Sequence, residues 1–211
     1  QNIEEPFVVR NIEQLKQQTK ANDSLKLIPL QNYIPNIQFD WKYADTANFT
    51  HQILYHNPIA FLRVEAAEKL KQAALELEKI GLGFKVFDAY RPYAITKKMW
   101  QIVPDENYAA NPTKGSGHNR GAAIDLTLYS LQTGQELLMP TLFDEFSEKA
   151  HHNYMNLPNE VLENRKTLKT IMLKYGFLAL NTEWWHYSLP NAALKYHLLD
   201  ISFSNLKEIA N

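Results

Sequence analysis

Apolar residues recur at helical spacing between Val64 and Ile80, where Leu70, Ala73, Ala74, Leu77 and Ile80 fall on one face and Gly81 follows as a stop. The period then changes. Phe84–Tyr90 alternates as a strand does, and Arg91-Pro92 ends it, because proline cannot donate to a ladder. A second helix is predicted over Tyr93–Val103, a loop over Gly115–Arg120, and a strand over Ala122–Leu128 with β-branched Ile124 and Thr127. A third helix, Glu160–Tyr175, presents Leu168, Ile171, Met172 and Tyr175 and stops at Gly176. Phe177–Leu180 and Trp184–Leu189 predict a closing hairpin. Residues 1–40 read as a peripheral N-terminal segment, with a short helix at Ile12–Thr19 and a strand at Leu25–Ile28 stopped by Pro29, ahead of a domain over 41–211. Helices and strands interleave, but their connections vary too much for a doubly wound parallel sheet. The pattern predicts a single α+β domain with a central antiparallel sheet flanked by helices.

Composition narrows the chemistry more than the fold. A chain of 211 residues with 45% apolar and 21% charged residues suffices for one full core. Net charge is −1 with no run of like charge, which points away from nucleic acid or an anionic membrane as partner. No stretch approaches the ~18 consecutive apolar residues of a membrane span. Cysteine is absent, so disulfides and a thiol nucleophile are excluded, and His, Asp and Glu remain as metal ligands.

The chemical signal lies in Ser116-Gly117-His118-Asn119-Arg120-Gly121-Ala122-Ala123-Ile124-Asp125 and in Glu183-Trp184-Trp185-His186. Two imidazoles and one carboxylate can close three sides of a tetrahedral zinc and leave the fourth for water. Asp125 sits in an otherwise apolar strand, where a carboxylate needs a cation or several donors to offset its desolvation. Glu183 is then available as an acid/base. Its spacing from His186 is awkward: three residues apart share a helix face but point to opposite faces of a strand. Both reach one site only if the chain turns between them or Glu183 precedes the strand. Alternatively, Trp184, Trp185 and Tyr187 form a core strand in which His186 merely packs. Asp88-Ala89-Tyr90-Arg91-Pro92 sets a guanidinium at a strand end, able to grip a carboxylate or a developing oxyanion, or simply to pair with Asp88. Adjacent His151 and His152 diverge on any regular element and are expected at the surface. The sequence contains no H-E-x-x-H, no G-x-S-x-G and no phosphate-binding glycine loop, and Ser116 lacks the strand–turn–helix context of a nucleophile elbow.

The pattern S-x-H-x-x-G-x-A-x-D over Ser116, His118, Gly121, Ala123 and Asp125, with E-x-x-H at Glu183 and His186, resembles the zinc D,D-peptidases. The closer likeness is to their VanX-type D-alanyl-D-alanine dipeptidase branch. Asp88–Pro92, Ile124–Leu128, Phe143-Asp144, Glu183–Tyr187, Lys42-Tyr43 and Asn48-Phe49-Thr50 share in it, so the likeness runs roughly from Tyr43 to Leu189. It implies a hedgehog/D,D-peptidase-like fold and one zinc per chain held by His118, Asp125 and His186. Glu183 would be general base and then acid, and Arg91 would stabilise the tetrahedral intermediate. Asp144, helped by Tyr43, would bind the free ammonium of a small D-amino-acid dipeptide, and Ser116 would line the pocket. The implied reaction is hydrolysis of D-Ala-D-Ala to two D-alanines. The alternatives are a D,D-carboxypeptidase trimming peptidoglycan stem peptides and a non-catalytic wall-binding domain. Two departures stand out: the N-terminal 40 residues are longer than a minimal dipeptidase needs, and Met139-Pro140-Thr141-Leu142 has proline where a glycine is expected. A wall-derived substrate, the lack of cysteine and a first residue, Gln1, that is not an initiator favour a processed, periplasmic protein, with a cytoplasmic enzyme as the alternative.

Overall fold

The computed structural model describes residues 6–210. In chain order its first elements are β1 (Val8–Val9), α1 (Ile12–Ala21), β2 (Leu27–Pro29), β3 (Gln38–Phe39), β4 (Phe61–Arg63) and α2 (Val64–Glu78). Then follow β5 (Leu82–Asp88), α3 (Tyr93–Ile102), β6 (Ala123–Ser130), α4 (Asn159–Lys174) and β7 (Leu178–Ala179). The chain finishes with β8 (His186–Ser188), α5 (Ala192–Lys195), β9 (Leu198–Leu199) and α6 (Phe203–Ala210).

The central sheet has the order β3-β5-β6-β8-β7. Its four later strands are antiparallel, as expected of an α+β domain, while β3 lies parallel to β5 at the edge. A parallel neighbour needs a long crossover, and the chain between β3 and β5, α2 included, supplies it. Ala66, Leu70, Ala73, Ala74 and Leu77 of α2 and Leu168, Ile171 and Met172 of α4 pack with Val86, Ile124, Leu126 and Leu128 in the main core. Residues 6–40, predicted as a peripheral segment, contribute β1, β2 and β3, which pair with β9, β4 and β5. Leu15 and Leu30 of this segment are fully buried.

Three expectations change. Ile80 is 63% exposed rather than on the buried face, because α2 ends at Glu78 and the chain turns into Gly81 at φ +76°. The strand predicted to run to Tyr90 ends at Asp88, and Tyr90 instead buries its ring and donates from its hydroxyl to Ile201 O at 2.9 Å. The closing hairpin is shorter than predicted: Trp184 and Trp185 are buried, but they precede β8.

Candidate active site

Asp125 stands opposite His186 across β6 and β8, and opposite Asp88 across β5 and β6. Directly opposed residues point to one face of a sheet, so these three side chains emerge together, on the face away from Ile124 and Leu126. Asp88 gets there through an irregularity. The β5·β6 register shifts between Val86 and Asp88, where Phe87 is the extra residue of a bulge. Without it, Asp88 would share a face with Val86.

His118 comes from a short helical turn, His118–Arg120, that closes at Gly121 with φ +67°. Glycine is needed here twice over: the conformation is left-handed, and an added Cβ would lie 2.6 Å from Leu27 Cδ2. His118 Nδ1 sits 2.7 Å from Ala89 O, which holds its proton there and aims Nε2 at the opposite group. That nitrogen lies 3.3 Å from Asp125 Oδ2 and 3.2 Å from His186 Nδ1, and His186 Nδ1 lies 2.9 Å from Asp125 Oδ1. Donors bound tetrahedrally at zinc's ~2.0–2.1 Å stand about 3.3 Å from one another. Two imidazole nitrogens and the two oxygens of one carboxylate, with neighbouring atoms 2.9–3.3 Å apart, fit one such cation. Burial alone would raise the pKa of Asp125, but the His118 and His186 imidazoles hold its carboxyl well below the usual range.

Glu183 lies in the turn between β7 and β8, where its N–H donates to Leu180 O at 3.2 Å. It therefore precedes the strand, which removes the parity problem of the three-residue spacing, and its Oε2 is 4.0 Å from His186 Nδ1. Burial pushes its carboxyl above the ordinary range, although His186 pulls the other way. Arg91 makes the predicted alternative pairing and still faces the site. Its Nε and Nη2 donate to Asp88 Oδ2 at 2.9 and 2.6 Å, and its guanidinium carbon lies 5.3 Å from the Tyr43 ring centre. Asp144 accepts from the Tyr43 hydroxyl at 2.9 Å, and burial pushes its carboxyl well up. It adopts φ +59°, a region that Asp tolerates better than most residues. Phe143 anchors it by packing against Tyr43, Phe87 and Trp185, at ring-centre distances of 5.8, 4.9 and 5.4 Å. Ser116 Oγ accepts from His118 N at 3.1 Å.

Tyr43, Arg91, Ser116, His118, Asp125, Asp144, Glu183 and His186 all line one cavity of about 200 Å³. The geometry invites comparison with known peptidases. Residues 23–206 match the Peptidase M15 family, described as D-Ala-D-Ala dipeptidase. The D-alanyl-D-alanine dipeptidase of Escherichia coli K12 is 36% identical over 183 residues, 87% of this chain and 94% of that protein. The D-alanyl-D-alanine dipeptidase of Enterococcus faecalis V583 is 32% identical over 180 residues, 76% of this chain and 89% of that protein. The chain belongs to the D-Ala-D-Ala dipeptidase family. Among solved structures, this dipeptidase-family chain aligns with the LdcB LD-carboxypeptidase at a TM-score of 0.44 and 20% identity, covering 81% of this chain and 71% of that one.

Sequence reasoning missed several residues that shape the cavity in this member of the dipeptidase family. Asp88 appeared only as a bland partner for Arg91, yet it is fully buried, accepts from Tyr55 at 2.7 Å and orients the guanidinium. Its signal was akin to the one noticed for Asp125, a carboxylate within an apolar strand, here at the strand's end. Tyr108 and Phe146, 4.9 Å apart, line the cavity from two loops, and Trp185 stands 6.0 Å from Phe146. Nothing in the periodicity marked those loops. Asn119, fully buried beside His118, carried no signal of its own. The expectation of two surface histidines fails for His152, which is 8% exposed and has no hydrogen-bond partner for either ring nitrogen among the described residues. The tie from its N–H to Asn181 O, at 2.8 Å, draws it inward.

Proposed function

We propose that this chain hydrolyses the dipeptide D-Ala-D-Ala to two D-alanines in a zinc-dependent reaction. The observation that carries the reading is one small cavity in which a candidate cation-binding triad, an elevated carboxyl and a guanidinium face a buried acid, Asp144. Its volume of about 200 Å³ lies below the ~300–1,000 Å³ of sites for drug-sized ligands, as suits a dipeptide. Zinc held by His118, Asp125 and His186 would supply a Lewis acid for the scissile carbonyl and bring the pKa of water down to ~7.

The remaining work falls to the side chains. Glu183 takes a proton at its carboxylate from the attacking water and returns it to the nitrogen of the leaving D-alanine, and its elevated pKa suits both transfers. Arg91, held by Asp88 through Nε and Nη2 and lining the cavity, turns its guanidinium charge toward the oxygen that gains charge. Asp144 and the Tyr43 hydroxyl receive the substrate ammonium, which supplies the counter-charge the buried carboxyl lacks. Ser116 lines the wall beside His118. Selection for a free amino end favours a dipeptidase over a D,D-carboxypeptidase.

The test is release of D-alanine by the zinc-loaded protein from D-Ala-D-Ala, from its N-acetyl derivative and from a tripeptide ending in D-Ala-D-Ala. The free dipeptide should react at least ~10-fold faster than either, the rate equivalent of ~1.4 kcal/mol. Preference for the blocked or longer peptide would shift the reading to a carboxypeptidase. Absence of hydrolysis of all three by zinc-loaded protein would remove it.

A further inference from the structure

Two parts of the site come from distant stretches of chain, Arg91 ahead of α3 and the Ser116–His118 loop ahead of β6. The Asn119 side chain joins them at the Arg91 carbonyl. Asn119 is fully buried, and its Nδ2 donates to Arg91 O and to Thr96 Oγ1, each at 2.9 Å, while its Oδ1 accepts from Ser116 N at 2.9 Å. The amide orientation is fixed by chemistry: a backbone N–H must meet its oxygen, and a backbone carbonyl must meet its nitrogen. In return, Arg91 N donates to His118 O at 3.1 Å. Arg91 is thus gripped on both sides of its residue, through N–H by His118 and through C=O by Asn119.

We infer that Asn119 is a positioning residue, setting the separation between the Arg91 guanidinium and the wall formed by Ser116 and His118. This deepens the hydrolase reading and rests on it. The side chain of His118 is held by Ala89 O, two residues before Arg91, and that of Arg91 by Asp88. With the Arg91 N–His118 O bond these leave the carbonyl side of Arg91 to Asn119, which fixes that side against the Ser116–His118 backbone. An error of ~1 Å in such placement can cost ~10²-fold in rate. Asparagine suits the task because one short, uncharged group offers two donors and an acceptor, all satisfied without burying a charge.

The test compares Asn119→Ala, Asn119→Asp and Thr96→Val with the wild type, each loaded with zinc, by kcat and KM on D-Ala-D-Ala, bound zinc and Tm. Asn119→Asp fills the same volume and keeps an acceptor for Ser116 N, but turns an acceptor toward Arg91 O. Both Asn119 variants should lose at least ~10-fold in kcat, with KM changed by less than ~3-fold and zinc still at one per chain. Thr96→Val leaves the bond to Arg91 O intact and should lose less than Asn119→Ala. A merely structural amide would lower Tm and leave kcat of the folded variant near wild type, and that result overturns the inference. So does a fall in kcat that tracks loss of zinc. Should Asn119→Ala fail to fold, the Asp variant decides. An inactive wild type condemns the hydrolase reading itself, whereas an active wild type matched by its Asn119 variants condemns only the positioning role.

Discussion

Asp144→Asn isolates the charge that should select a dipeptide. Asn has the shape of Asp and tolerates the same left-handed backbone, here φ +59°, so the Phe143 anchor and the fold should survive. The side chain's hydrogen-bond partner among the described residues is the Tyr43 hydroxyl at 2.9 Å, so a substrate ammonium would add the counter-charge. A hydrogen bond to a charged group contributes ~1.5–3 kcal/mol; the carboxylate–ammonium pair lies at the upper end, and the Asn oxygen retains an ion–dipole bond to the ammonium at about the lower end. The difference, ~1–2 kcal/mol, predicts a ~5–30-fold fall in kcat/KM for D-Ala-D-Ala. The N-acetyl dipeptide has no ammonium and should lose little, so the ratio of the two kcat/KM values should contract by that factor. Initial rates of D-alanine release measure both. Equal losses on the two substrates, or none on the free dipeptide, would refute the assignment of Asp144.

Glu183→Gln keeps shape and removes the base, so kcat should fall by ~10²–10⁴-fold with zinc still bound; a near wild-type rate would assign the base elsewhere. Stripping the metal with a chelator should abolish turnover and lower Tm, since a ligand at ~1,000 times its Kd adds ~4 kcal/mol to the folded state, and zinc should restore both. Magnesium, which prefers octahedral oxygen, should restore neither. His152 gives a pH prediction. Burial, then Lys169 and Arg165, depress its pKa to about 4, so between pH ~6.5 and ~4 the unfolded chain takes a proton that the folded chain refuses. Stability is present above ~6.5 and is lost as pH falls toward 4, by ~3 kcal/mol at full weight and ~2 kcal/mol after solvent screening. Denaturation of His152→Leu at pH 7 and pH 4 should show a loss smaller than wild type by about that amount, and parallel curves would contradict it.

Much of this was legible in the sequence because it depends on local rules. Helical spacing marked α2 and α4 to within two residues at each end, and Gly81 and Gly176 marked their stops, since few other residues take the positive φ adopted there. Asp125 betrayed itself by its neighbours: a carboxylate in an apolar strand needs compensation wherever the strand lies. The motif resemblance supplied Tyr43 and Asp144, which no periodicity would have singled out, and gave specific roles to Glu183 and Arg91, already candidates from their spacing and strand-end position. Tertiary structure alone decided the rest. The bulge at Phe87 is one extra residue against β6, invisible until the partner strand is known, yet it brings Asp88 to the face of Asp125 and so orients Arg91. The turn at Glu183 forms because Leu180 and His186 close it across the end of the hairpin, which settles a spacing that helix and strand rules left ambiguous. Asn119 is the plainest case. Its three partners lie at Arg91, Thr96 and Ser116, and two of them are more than twenty residues away, so its role exists only once the chain has folded them together.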